Sequence, residues 1–158
     1  MVAVLENLRW FAGTQIRNVA TIAGNIVTAS PISDMNPVLV ALGAILKVSS
    51  RSQGERYIPM DVFFLGYRKT ALKPDEVVIS VNIPFCRAGE FAFAFKQAKR
   101  RDDDIAIVTC GLRVKLSSGN NGEFVVEEFS GGYGGMGPTT FRFVPDFTMI
   151  NYHVIFLA

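Results

Sequence analysis

The sequence predicts an α+β fold in two consecutive parts, and three observations carry that expectation. Apolar residues recur at helical spacing near the N-terminus and again after Pro37, while the later half holds stretches that alternate as strands do. Between the two helical patterns lies a segment of small, hydroxyl-bearing and glycine residues, Thr21–Asn25, which marks a change of backbone regime.

The elements follow in order. Residues 2–12 read as an amphipathic helix, with Val4, Leu5, Leu8 and Phe11 or Ala12 on one face and Gly13 placed to end it. Gln15–Ala20 is short and partly β-branched and reads as an extended lead into the Gly-bearing loop. Ser33 or Asp34 suits the cap of a second helix carrying Val38, Leu39 and Leu42, with Pro37 in its first turn. Ala44–Ser50 reads as a strand, Ser52–Glu55 as a turn, and Arg56–Pro59 as the hairpin partner. Asp61 suits the cap of a short helical turn. Val77–Ile83 reads as a strand stopped by Pro84, and the Cys86–Glu90 stretch as a linker. Glu90–Lys99, Ile105–Leu116 and Glu123–Tyr133 read as three strands of an antiparallel sheet, the last two joined through the turn-rich residues 117–122. The expected organisation is therefore residues 1–85, residues 86–140, and an apolar tail over 141–158.

Composition bounds the function. At 158 residues, 49% apolar and 19% charged, the chain is long enough to bury a core, and its formal charge of +2 argues against a nucleic-acid or membrane-surface partner. Cys86 and Cys110 are too far apart for a CxxC motif and too few for a disulfide scaffold, which fits a reducing compartment. No secretory signal pattern is present at the N-terminus, and Arg142, Pro145 and Asp146 interrupt the apolar tail, so no membrane anchor is expected.

The chemistry concentrates in Thr21, Ile22, Ala23, Gly24 and Asn25. Glycine lets a main chain approach a ligand closely, and Thr and Asn side chains with backbone N–H groups donate to oxyanions, although the same pattern also suits an ordinary turn. The glycine run Gly131–Gly135 lacks GxGxxG spacing and a following helix, so it does not read as a phosphate loop. Tyr67-Arg68-Lys69 reads as an exposed basic turn, Trp10 as a core or interface residue, and His153 is not credible as a base.

Several segments in register carry a family resemblance: Leu8–Gly13, Asn18–Asn25, Thr28–Asp34, Phe64–Lys69, Phe95–Ala98 with Arg100–Ala106, and Tyr133–Met136. Together they resemble the flavoprotein part of the xanthine dehydrogenases, members of the molybdenum hydroxylase family, with the aldehyde oxidases sharing the architecture. The resemblance implies the C-terminal part of a PCMH-type FAD-binding domain, followed by the start of a flavoprotein C-terminal domain. It implies that Thr21–Asn25 cradle the FAD pyrophosphate, that Phe11 meets the adenosine side, and that Asp34 touches the cofactor through ribose hydroxyl or adenine amino hydrogens. Val78 is implied beside the isoalloxazine. Lys96, placed among Phe91, Phe93 and Phe95, is implied at the pyrimidine edge, where positive charge favours an anionic reduced ring. Asp103, in the charged run Lys99–Asp104, is implied on the nicotinamide side.

The implied intact protein takes electrons from purine at a molybdopterin centre and passes them through two 2Fe–2S clusters and FAD to NAD or dioxygen. It is expected as a homodimer in the cytoplasm, or in the peroxisome. This chain lacks the cysteines for a 2Fe–2S cluster and the length for a molybdopterin site, so those groups are expected in other domains, and this chain alone is expected to be inactive. The pattern departs from the family in three places: Ala23 stands where a second glycine is usual, the first Gly-rich FAD loop is expected upstream of residue 1, and residues 141–158 match nothing. Two alternatives accompany the reading: the same region of an aldehyde oxidase, or a non-catalytic truncated remnant that binds no flavin.

Overall fold

The computed structural model describes residues 1–119 and 123–145. Four short helices precede the strands: α1 (Val2–Arg9), α2 (Thr14–Arg17), α3 (Ile22–Val27) and α4 (Asn36–Ala41). Strands β1 (Ile45–Ser50), β2 (Gly54–Pro59) and β5 (Glu76–Asn82) form an antiparallel sheet in the order β2-β1-β5. A 3₁₀ turn at Met60–Val62 and the small hairpin β3 (Phe64–Gly66) and β4 (Lys69–Thr70) lie between β2 and β5. Strands β6 (Glu90–Ala98), β7 (Ala106–Ser118), β8 (Phe124–Gly134) and β9 (Phe141–Phe143) make a second antiparallel sheet in sequence order. The architecture is α+β.

The β1–β2 hairpin forms where alternation and a turn coincide. Leu46 and Val48 are fully buried, and Gly54, at φ +74°, takes the left-handed conformation that closes the turn. The core gathers around α4, in which every residue is buried, with Phe63, Leu46 and Ile26 completing it.

Glycines let α4 lie unusually close to the second sheet. A Cβ on Gly132 would stand 2.0 Å from the Pro37 carbonyl oxygen, and one on Gly111 would stand 2.5 Å from Val38 Cα. A Cβ on Gly134 would meet the Pro31 carbonyl oxygen at 2.9 Å. The glycine run at the end of β8 is thus a packing surface, in keeping with its reading as no phosphate loop.

Local readings are corrected at the N-terminus. Helix α1 stops at Arg9, short of the expected residue 12, because the Trp10 and Phe11 amides bond three residues back to Asn7 and Leu8. The left-handed residue is Ala12, at φ 43°, while Gly13 is extended at φ −84°. Gln15–Ala20, expected to be extended, is mostly the helical turn α2 and its continuation. Thr21–Asn25 is the beginning of α3 instead of an open loop, since the Thr21 hydroxyl accepts the Gly24 amide at 3.0 Å and caps the helix. Asp61 lies within its 3₁₀ turn with no side-chain cap bond at that turn's start. The expectations for His153 and for most of the 141–158 tail lie outside the described residues, as does the turn over 120–122; Phe141–Phe143 pair with β8. Among the described residues no helix is long and apolar enough to cross a membrane.

Candidate cofactor site

Two cavities flank α1. One, of about 410 Å³, is walled by Leu8, Phe11, Ile22 and Met35 and edged by Arg17, Ala20, Thr21 and Asn25. The other, of about 570 Å³, lies between α1 and β6 and is lined by Glu6, Asn7, Trp10 and residues 93–101.

In the first cavity the apolar wall comes from Leu8 on α1, Phe11 just after it, Ile22 on α3 and Met35 before α4, and Thr21 and Asn25 bring the polar edge from α3 and its cap. Thr21 caps α3 with its hydroxyl, so the amides of Ile22 and Ala23 have no protein acceptor among the described residues. Asn25 presents one end of its side-chain amide to Ser33, whose hydroxyl donates to Asn25 Oδ1 at 2.8 Å. Arg17 fastens the turn beneath Phe11, donating to the carbonyls of Phe11 at 2.8 Å and Ala12 at 2.6 Å and to the Thr14 hydroxyl at 3.1 Å. That clamp holds the left-handed Ala12 and presents the half-buried Phe11 at the cavity wall.

Ala23 has no positive φ, and neither does Gly24. The methyl group at position 23 therefore introduces no backbone strain. Neither residue lines the cavity with its side chain; their place is in the first turn of α3.

Lys96 is corrected most. Strand alternation exposes Phe91, Phe93 and Phe95 on one face of β6 and turns Lys96 to the other, so the lysine is opposite the phenylalanines. Its side chain is only 8% exposed. Nζ donates to the Trp10 carbonyl at 3.0 Å and stands 3.1 Å from Asp34 Oδ1. Burial raises the Asp34 pKa above its ordinary value, and the neighbouring ammonium opposes that rise. The buried Oδ1 is ion-paired with the ammonium and meets no other donor among the described residues.

Asp34 does not cap α4. Ser33 supplies that contact, its oxygen accepting the Asn36 amide at 3.3 Å. Asp34 is instead held through its main chain, whose carbonyl accepts from the buried Asn7 amide at 2.5 Å. Val78 sits on β5 opposite Val48, half-buried against the core, and lines neither cavity.

Asp103 is exposed and left-handed, at φ 47°, in the loop between β6 and β7. Asp104, which sequence reasoning passed over, builds that loop: its carboxylate accepts the amides of Arg100 at 2.9 Å and Ile105 at 3.0 Å, which hold its pKa low. The Arg100 guanidinium donates to the Asp103 carbonyl at 2.7 Å. Asp102 and Asp103 share a small cleft with Arg9, Trp10 and Arg17, and the guanidinium carbons of Arg9 and Arg101 stand 5.3 and 5.7 Å from the Trp10 ring centroid. The loop thus reaches back to the C-terminal end of α1.

Phe11, Thr21, Ile22 and Asn25 are therefore brought to one cavity, Lys96 and Asp34 are joined beneath the other, and Asp103 lies at the rim beyond Trp10. Arg17 and the Ser33 bond to Asn25 were missed, because they depend on contacts five or more residues away, whereas Ser33 was named as the cap it supplies.

An apolar wall that includes Phe11, with an edge of free N–H donors, suits a nucleotide-cofactor-binding unit. The family described as FAD binding domain in molybdopterin dehydrogenase matches residues 1–86, and that described as CO dehydrogenase flavoprotein C-terminal domain matches residues 93–145. The chain belongs to the FAD-binding domains of the molybdopterin dehydrogenases.

It is 59% identical to xanthine dehydrogenase/oxidase of Gallus gallus over 139 residues, 87% of this chain. It is 50% identical to xanthine dehydrogenase of Oryza sativa subsp. japonica over 140 residues, 89% of this chain. The chain spans 10% of the length of each of these relatives. Among solved structures, carbon monoxide dehydrogenase from Hydrogenophaga pseudoflava superposes with a TM-score of 0.77 at 28% identity, covering 85% of this chain and 44% of that one. The likeness is to the FAD-binding region of xanthine dehydrogenases.

The residues present fit FAD. Free amides at Ile22 and Ala23 and the Asn25 side chain suit phosphate oxygens, and the Leu8, Phe11, Ile22 and Met35 wall suits an aromatic ring. Asp34 Oδ1, ion-paired with Lys96, keeps lone pairs that suit a hydroxyl or amino hydrogen.

Proposed function

We propose that this chain is the FAD-binding electron-transfer portion of a xanthine dehydrogenase, working between iron–sulfur clusters and NAD or dioxygen in purine oxidation. The observation that carries the reading is the meeting of Phe11, Thr21, Ile22 and Asn25 at one cavity whose edge presents unpaired donors. FAD supplies a ring system that takes up and releases two electrons.

The chain's own residues bind and orient. Thr21–Asn25 hold the pyrophosphate through main-chain amides and the Asn25 side chain, and Phe11 packs on the adenosine side. Asp34 accepts a hydrogen from the cofactor through its Lys96-paired carboxylate. Lys96 acts from beneath: held by the Trp10 carbonyl, it supplies positive charge near the ring while keeping the Asp34 carboxylate ionised. Val78, packed against the core on β5, is read on the ring side from the family likeness alone. Asp103 stands on the nicotinamide side, in a loop shaped by Asp104 and Arg100. The complete enzyme is read as a cytoplasmic homodimer whose iron–sulfur and molybdenum domains lie elsewhere in the polypeptide. Free Cys86 and Cys110 accord with a reducing compartment.

The test is an exchange. Residues 1–145 of this chain replace the matching stretch of the Gallus gallus enzyme, and flavin content and NAD-dependent xanthine turnover are measured. A flavin-loaded, NAD-reducing chimaera supports the reading. A folded chimaera without flavin overturns it.

A further inference from the structure

We propose that Ser33 is a positioning residue for the cofactor phosphate, acting through Asn25 by fixing which end of its side-chain amide faces the cavity. The inference rests on the reading of Thr21–Asn25 as the FAD cradle and names a determinant of that site outside it.

An asparagine side chain carries an acceptor oxygen and an NH₂ donor on one planar group, and a rotation of 180° exchanges them. Beside a phosphate only one orientation works: the NH₂ group donates to a phosphate oxygen, whereas the carbonyl oxygen would oppose it. The ordinary freedom of this group therefore has to be removed before the ligand arrives.

Ser33 removes it. The residue is 4% exposed, and its hydroxyl has a defined direction, because its oxygen accepts the Asn36 amide at 3.3 Å while its hydrogen goes to Asn25 Oδ1 at 2.8 Å. With Oδ1 taken on the protein side, Nδ2 is left for the cavity that Asn25 lines, and it has no other partner among the described residues. In the reverse orientation Nδ2 would donate to the Ser33 oxygen, the buried Ser33 hydrogen would lose its acceptor, and the carbonyl would be turned to the cavity.

The anchor is rigid. The Ser33 amide bonds the Ser30 carbonyl at 3.2 Å, and the Pro31–Pro37 segment lies directly on the glycines of β8, where a Cβ on Gly134 would stand 2.9 Å from the Pro31 carbonyl oxygen. The second sheet thus sets the orientation of a donor on α3, through α4's lead-in and one hydroxyl. The oriented NH₂ group is a donor, and the phosphate oxygens that the cradle reading places beside it are its acceptors.

The test is an FAD titration of the 158-residue chain, with thermal melts to verify folding and ¹⁵N–¹H spectra of the side-chain amides without FAD. Ser33→Ala is expected to weaken FAD about threefold to tenfold, the share of one orienting hydrogen bond, and Ser33→Thr to restore it. Asn25→Asp keeps the Ser33 bond and the shape of the side chain but replaces the donor with an acceptor. It is expected to weaken FAD by about tenfold to a hundredfold.

In an Asn25→Ala background, Ser33→Ala adds no further loss, and in the spectra Ser33→Ala moves the Asn25 NH₂ pair toward averaged positions. Additive losses in that background, or an Asn25→Asp chain that binds FAD like the unsubstituted one, overturn the inference. Asn25→Ala without effect, or no FAD uptake by the folded unsubstituted chain, overturns the cradle reading beneath it.

Discussion

Replacing Gly132 by alanine tests the packing that sets the site's geometry. The new Cβ would stand 2.0 Å from the Pro37 carbonyl oxygen, 2.9 Å from the Pro37 carbonyl carbon and 3.1 Å from the Ala41 amide nitrogen. All three are backbone atoms of a wholly buried helix, so no side chain can swing aside. An ordinary contact starts near 3.4 Å, and α4 would have to lift from β8 by 3.4 − 2.0 = 1.4 Å. A gap of even about 0.5–1 Å forfeits a quarter to a half of each dispersion contact along the helix, which places the cost at about 2–4 kcal/mol. For a chain of this size each kcal/mol lowers Tm by about 2–4 °C, giving an expected drop of about 4–16 °C. Gly137→Ala is the control, because a Cβ there meets nothing within 4 Å. Differential scanning calorimetry of the two variants decides the matter. A Gly132→Ala chain melting within about a degree of the control would refute the close-approach argument.

Other consequences are open to measurement. Lys96→Met leaves Asp34 without its cation in a buried position, for a loss of about 3–5 kcal/mol at neutral pH by chemical denaturation. Because burial holds the Asp34 pKa above its ordinary value, its favourable contribution is present below about pH 3.8 and is lost as pH rises through the raised value. The Lys96→Met deficit should therefore shrink as pH falls toward 4; a deficit independent of pH contradicts the pairing. Glu76, gripped by the Arg56 guanidinium at 2.6 and 2.7 Å and by the Lys73 amide, has its pKa lowered from 4.5 to about 2. Its stabilisation is present above pH 4.5 and lost as pH falls through about 2, so Glu76→Gln should flatten the acid limb of the stability profile in that window. In the complete enzyme, Asp103→Ala should alter the steady-state constants for NAD while leaving flavin content unchanged. Unaltered NAD kinetics would remove Asp103 from the acceptor side.

The sheets were the most legible part, because alternation is a local signal: Ala44–Ser50 pairs with Arg56–Pro59, and the three later strands lie in sequence order. The side of β6 that Lys96 occupies was also written in the sequence. Phe91, Phe93 and Phe95 have one parity and Lys96 the other, and a period of two separates them. The N-terminal helices were harder, since their limits are set by Arg17 on the Phe11 and Ala12 carbonyls and by the Thr21 cap. No window of hydrophobicity contains those bonds. Asp34 illustrates the remaining difficulty: a carboxylate before an apolar helix reads as a cap, yet Lys96, far along the chain, takes it. The cradle was legible as a composition, but its conformation was not, and the Ser33 bond to Asn25 and the Arg17 clamp became visible only once the fold brought the partners into reach.

The most direct measurement is an equilibrium titration of this chain with FAD, followed by flavin fluorescence and visible absorbance, beside a version with Thr21–Asn25 replaced by alanines. The account predicts saturable binding by the first and none by the second, both remaining folded. A folded unsubstituted chain that takes up no FAD, or two chains that bind it alike, would contradict the assignment of the cofactor to the start of α3.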